Sequence, residues 1–215
     1  MSLNLVEHEP RLKSEIFWSC TEVIWVAGYG GAGKSTFARF IEKFGHSRVG
    51  LGSSVRTLYK EVVSNWEGKA PTLLEWVEEQ INVIGEAQFA HDMLKHRLSL
   101  QPELLQAERV VIPSMRNPEV LNSMKAFFPN ARHRIVFIDA PLPIRTKRLE
   151  RRDSEEYGEY SVVQMAERDA VEDRVGLQEL IKSAEVTIKN EGSLEDFEKT
   201  IRNFFRMKKG KNEHR

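Results

Sequence analysis

The residues with the plainest chemistry lie between Gly28 and Ser35, where the chain reads Gly-Tyr-Gly-Gly-Ala-Gly-Lys-Ser. This is G-x-x-x-x-G-K-S, the spacing of a phosphate-binding P-loop. Glycines at Gly28, Gly30, Gly31 and Gly33 let the backbone turn through positive φ and bring successive N–H groups close to phosphate oxygens. Lys34 supplies a cation for the β- and γ-phosphates, and the Ser35 hydroxyl is a ligand for Mg2+. With Ala32 and Thr36 completing the contact run, the expected cofactors are ATP and Mg2+.

The elements around the motif are those it requires. The apolar run Val23 to Ala27 precedes it, and Phe37, Phe40, Ile41 and Phe44 follow at helical spacing. A helix starting at Ser35 adds the positive end of its dipole to the same site. The alternative, a glycine-rich turn that binds nothing, is outweighed by this strand–loop–helix context.

The remaining chain reads as strands alternating with helices. Val49–Leu51 looks like a short second strand closed by Gly52-Ser53-Ser54, with Ser53 or Ser54 as the N-cap of a helix through Arg56, Tyr59 and Val63. Thr72 opens a helical region with a break near Gly85. Arg109–Ile112, Arg134–Asp139 and Glu185–Lys189 read as further strands. Val120, Leu121, Met124 and Phe127 mark a helix after the third strand, and Arg145, Arg148 and Arg152 lie on one after the fourth. Asp153 to Tyr160 reads as a mobile loop, Ser161 with Gln164 as a capping box, and Ser193 with Asp196 as a capping pair for the closing helix. Five short apolar strands in this alternation specify an α/β fold, a parallel sheet with helices on both faces.

Composition narrows the classes. The 215 residues include 32 basic and 32 acidic side chains, a formal net charge of zero, so no global field steers the chain toward nucleic acid or a membrane. Cys20 is the sole cysteine, which rules out an internal disulfide and fits a reducing compartment. The absence of a membrane-length apolar run and of a signal-peptide core leads to the expectation of a soluble, cytoplasmic protein. The expected organisation is an N-terminal extension over 1–21, a single domain over 22–207 with a helical insert at about 54–105 and a lid at about 152–162, and a basic tail over 208–215.

The chain resembles the adenylate-kinase and dephospho-CoA-kinase branch of P-loop phosphotransferases, and more narrowly a dephospho-CoA-kinase-like, adenylate-kinase-related family. The resemblance covers roughly 22–205. It is carried by the P-loop, by V-V-I-x-x-x-R-N-P-E-V from Val110 to Val120, and by D-A-P followed by R-L-x-x-R from Asp139 to Arg152. The Arg168-Asp169 pair and N-x-G-S-L-E from Asn190 to Glu195 add to it. It implies a three-layer P-loop NTPase fold whose helical insert binds the acceptor, and a transfer of the γ-phosphoryl group from ATP to a small nucleotide-type molecule. By the same resemblance Arg56 and Arg116 hold the acceptor phosphate, Arg148 and Arg152 close over the transferring group beside Lys34, and the loop containing Asn190 and Gly192 flanks adenine. Taken singly, Arg56 and Arg148 read equally as solvated or salt-bridged helix residues, and Arg116, beside a strand end, reads less so.

Two positions depart from the branch. Acids expected just after the second strand and at the end of the third are Ser53 and Pro113 here. A hydroxyl acceptor must lose a proton during attack, whereas a monophosphate is already ionised. The departures therefore tilt the expectation toward a phosphate acceptor, or toward a nucleotide-binding protein with little turnover. A mechanical ATPase acting on nucleic acid is disfavoured by small size and the lack of a basic face.

Overall fold

In this computed structural model, backbone is described for residues 18–157 and 162–212, and side chains for 18–151 and 162–205. The sheet consists of β1 (Glu22–Ala27), β2 (Ser47–Arg48), β3 (Arg109–Met115), β4 (Arg132–Asp139) and β5 (Val186–Lys189). All pairings are parallel, in the order β2-β3-β1-β4-β5. The helices are α1 (Lys34–Ile41), α2 (Leu51–Ser64), α3 (Leu73–Ile84), α4 (Glu86–Leu100), α5 (Pro118–Lys125), α6 (Leu142–Tyr157), α7 (Val162–Arg174), α8 (Leu177–Ser183) and α9 (Leu194–Asn212).

Strand β1 explains the layering. Successive side chains on a strand point to opposite faces, so a sheet covered on both sides needs a continuous apolar run. Trp25 packs edge-on to Phe128, with Val23 and Ala27 on the same side. Ile24 and Val26 face Phe37, Ile41, Phe197 and Ile201 on the other. The three-layer α/β architecture expected from the sequence is thus the one observed. Trp18 is buried and its ring lies 5.1 Å from that of Phe128; the rest of the apolar knot read at 16–18 lies outside the described residues.

Several boundaries differ from the sequence reading. The second strand is Ser47–Arg48, not Val49–Leu51: only the former pair with Val110–Val111, and after the Val49 N–H bonds to the Val111 carbonyl the chain leaves the sheet. Helix α2 consequently begins at Leu51 with Gly50 as N-cap. Ser53 lies inside it, its hydroxyl donating to the Gly50 carbonyl at 2.6 Å. The third strand continues past Pro113 to Met115 by means of a bulge at Ser114, whose φ is 86°. Proline has no N–H for the ladder, and a bulge takes up the irregularity while turning the strand end. The segment read as a loop from Asp153 is helical as far as Tyr157, since Glu155 and Glu156 favour helix and no glycine intervenes before Gly158. The rest of that loop, and Ser161 of the expected capping box, lie outside the described residues.

Helices α2, α3 and α4 fall between β2 and β3. They pack around Leu58, Trp76, Phe89 and Met93. Thr72 forms a full capping box with Glu75 at the start of α3, and Gly85, at φ 82°, separates α3 from α4. The Ser193–Asp196 pair caps α9 as expected.

Candidate functional site

The loop between β1 and α1 takes the shape its glycines were read to allow. Gly28, Gly31 and Gly33 have φ of 146°, 76° and 107°. A Cβ on Gly28 would lie 2.6 Å from the Ile138 carbonyl oxygen, and one on Gly31 would lie 2.7 Å from that of Arg145. The loop is therefore pressed against β4 and α6 by backbone contacts that only glycine permits. Helix α1 begins with Gly33 as N-cap, with no side chain capping it and no acid in its first turn. Its first N–H groups and positive dipole end are left for an anion. Ser35 is exposed at this end and Thr36 is half-buried beside it, while Ala32 is buried below. These features fit a phosphate chain, and Ser35 is the exposed hydroxyl at this end of the helix.

The Lys34 ammonium is buried and turned back onto the loop, donating to the carbonyls of Gly28 and, at 2.8 Å, Tyr29. Burial lowers its pKa to about 7, with the nearby guanidinium of Arg116 adding to the effect and the Glu172 carboxylate opposing it. A phosphate arriving here would meet a lysine with much to gain from an anionic partner.

Helix α7 roofs the loop, which the sequence did not reveal. Arg168, Asp169, Glu172 and Asp173 occur at spacings that place them on one side of the helix. Arg168 lies over Gly30, with Nε 3.4 Å from where a Cβ there would sit. Asp169 makes a bidentate pair with buried Arg145, which also donates to the carbonyls of Ala140 and Gly30. The Arg145 guanidinium lies 5.0 Å from the Tyr29 ring centroid. Asp173 accepts from the Tyr29 hydroxyl at 2.7 Å. Tyr29 is half-buried, and its hydroxyl also accepts from Gln178 at 2.7 Å. Burial, together with the Asp173 carboxylate, pushes its pKa far up. Glu172, 4% exposed, lies between Arg116 (Nε–Oε1 3.5 Å) and Arg168 (3.7 Å).

The other expected residues are dispersed around this centre. Arg116 is brought to it by the bulge in β3. Asn190 is buried at the end of β5; its side-chain amide donates to the Ala32 carbonyl at 2.7 Å, and its backbone N–H donates to the Asp139 carbonyl. It braces the loop from beneath. Arg148 donates to both the backbone and side-chain oxygens of Asn190 at 3.2 Å. Gly192 is exposed beyond it, and Arg56 is exposed on α2. The Arg152 side chain and most of the expected lid lie outside the described residues. Trp25 and Trp76 are core residues, and Trp66 is half-buried.

Among the described residues, no helix is long and apolar enough to cross a membrane. No family model matches the chain. A UPF0200 protein of Pyrobaculum aerophilum is 30% identical over 180 residues, covering 83% of this chain and 94% of its own length. A UPF0200 protein of Pyrococcus abyssi is 25% identical, with 83% and 92% covered. The Archaeoglobus fulgidus UPF0200/UPF0201 protein is 30% identical over 188 residues, and this chain spans 54% of its length. Among solved structures, TT1252 from Thermus thermophilus superposes with a TM-score of 0.57 at 18% identity, covering 87% of this chain and 98% of that one. Shikimate kinase from Acinetobacter baumannii superposes at 0.55 and 17% identity, covering 89% and 96%. The likeness is one of fold; it extends to shikimate kinase and does not single out the dephospho-CoA-kinase or adenylate-kinase branch. By sequence, the chain belongs to the UPF0200 family.

Proposed function

We propose that the protein is an ATP-dependent phosphotransferase that moves the γ-phosphoryl group to a nucleotide-type acceptor, a nucleoside or deoxynucleoside monophosphate or dephospho-CoA. The observation that carries this reading is the cation cluster at the mouth of the loop. Lys34, Arg116 and Arg168 converge there, and among the described residues Glu172 is the acid set between the two arginines. The excess positive charge suits a phosphoryl group in transfer, a reaction that depends on positioning and charge neutralisation. In this reading the loop from Gly28 to Thr36 holds ATP, and Ser35 holds Mg2+. Arg116 and Arg56 face the acceptor, while Arg148 and Arg152 close over the transferred group. Helices α2 to α4 form the acceptor side, and the segment at Gly192 flanks the base. Asn190 serves the nucleotide indirectly, through the loop.

A second reading is a nucleotide-binding regulatory protein with little turnover. Ser53 and Pro113 stand where acids are usual in related enzymes, and Lys34 is satisfied by loop carbonyls without ligand. ADP formation from MgATP against a panel of acceptors separates the two. Acceptor-dependent turnover abolished by Lys34→Ala in a folded variant supports the transferase. Tight MgATP binding without turnover for any acceptor supports the regulator.

A further inference from the structure

We infer that Glu172 is the general base of this site and that the acceptor nucleophile is therefore a hydroxyl group. The inference rests on the transferase reading above and narrows its substrate class.

Glu172 is buried, and neither of its carboxylate oxygens accepts a hydrogen bond among the described residues. Both arginines approach the same oxygen, Oε1, at 3.5 Å and 3.7 Å without hydrogen-bonding geometry. Buried acceptors left without donors are costly, so such a group in a site marks a place where a ligand supplies one. The chemistry of the ligand follows. The oxygens of an ionised phosphate carry no proton to donate, and a phosphate nucleophile would set a second anion against the carboxylate. A hydroxyl donates.

The location agrees. Glu172 is held between Arg116, at the end of β3, and Arg168, which covers Gly30 of the loop, and it acts electrostatically on Lys34. It therefore stands between the strand end assigned to the acceptor and the loop assigned to ATP. It also removes the ground on which Ser53 and Pro113 favoured a phosphate acceptor, because α7 supplies the acid those positions lack.

The step balances as follows. The acceptor O–H bond breaks with its proton passing to a Glu172 oxygen, while the acceptor oxygen forms a bond to the γ-phosphorus. The bond from that phosphorus to the β,γ-bridging oxygen breaks, and its electron pair leaves on ADP. Glu172 returns its proton to solvent once product departs.

The test compares wild type, Glu172→Gln and Glu172→Asp on dephospho-CoA and unphosphorylated nucleosides, and on nucleoside monophosphates. Circular dichroism and MgATP-binding calorimetry run on each variant. Wild-type turnover with a hydroxyl acceptor is expected. Glu172→Gln should lower kcat by on the order of 100-fold or more, with MgATP still bound and the acidic limb of the kcat–pH profile lost. Glu172→Asp should recover part of the rate in a folded protein. Turnover confined to monophosphates, or a hydroxyl acceptor used equally well by Glu172→Gln, overturns the base assignment and leaves the transferase reading standing. So does a defect that excess Mg2+ repairs with the pH profile intact. Wild-type MgATP binding without turnover on any acceptor overturns both.

Discussion

Gly33 and Asn190 offer a quantitative test of how the loop is held. An alanine at Gly33 must adopt φ 107°, a strained conformation for a residue with a side chain, at a cost of about 1–3 kcal/mol. Its Cβ would also collide with Nδ2 of Asn190, so the amide must withdraw from the Ala32 carbonyl it now meets at 2.7 Å. Leaving that buried carbonyl without a donor costs about 1–3 kcal/mol more. Gly33→Ala is thus expected to destabilise by about 2–6 kcal/mol. Asn190→Ala alone loses the same bond, about 1–3 kcal/mol, and with it the hydrogen bond from Arg148 to the side-chain oxygen, but introduces no strain. In the double variant the collision is gone and the lost bond is counted once. The pair should then cost about 1–3 kcal/mol less than the sum of the singles. Urea unfolding of the four proteins gives the coupling, and MgATP calorimetry reports whether the loop still binds. Additivity within about 0.5 kcal/mol would refute the bracing contact.

Three further outcomes are expected. With its pKa lowered to about 7, Lys34 is largely neutral at pH 8 in the unliganded protein, and a phosphate raises its pKa again. MgATP binding should take up close to one proton at pH 8 and almost none at pH 6, measured by calorimetry in buffers of different ionisation enthalpy; Lys34→Arg should abolish the uptake. Replacing buried Arg145 by methionine strands the Asp169 carboxylate and empties the contacts to Ala140 and Gly30, for an expected loss of about 3–5 kcal/mol in urea unfolding. A loss below about 1 kcal/mol would show that the pair does not hold the loop. At the other end of the sheet, the hydrogen bond from His46, with Arg134 adding to it, lowers the Glu22 pKa from 4.5 to about 2. The native carboxylate is favoured, so its contribution is complete above about pH 4.5 and is lost as pH falls toward 2. Glu22→Gln should flatten stability across that window, and an unchanged acid limb would exclude Glu22 as its source.

The fold was legible where local pattern decides it. The loop motif, the apolar strands and the capped helices all carry their information within a few residues. The second strand was misplaced because Val49 is apolar and buried yet follows the pairing residues Ser47 and Arg48; strand pairing is set by the neighbour, not by the segment's hydropathy. The bulge at Ser114 has no sequence signature beyond Pro113. In the site, Lys34 and the glycines were readable because one short segment contains their whole chemistry. Arg145, Glu172 and Asp173 were not, since the importance of each depends on partners distant in the chain. From sequence, the charges of α7 are indistinguishable from a solvated helix face. The available signals were the Arg168-Asp169 pair and the opposite charges of Arg168 and Glu172 one helical turn apart, after buried Met165.

The corner after α7 sets a limit on how lineages can vary in length. Gly176, at φ 103°, fits so closely against Pro118 that a Cβ would lie 2.6 Å from the proline ring, and Asp173 is tied to Tyr29 just upstream. One residue gained or lost between Arg168 and Gly176 would rotate the upstream face by about 100°. It would carry Arg168 off the loop and turn Glu172 away from Arg116. Insertions and deletions tolerated during divergence should therefore collect upstream of Val162, leaving the spacing from Arg168 to Gly176 as a fixed ruler among relatives that keep the same chemistry.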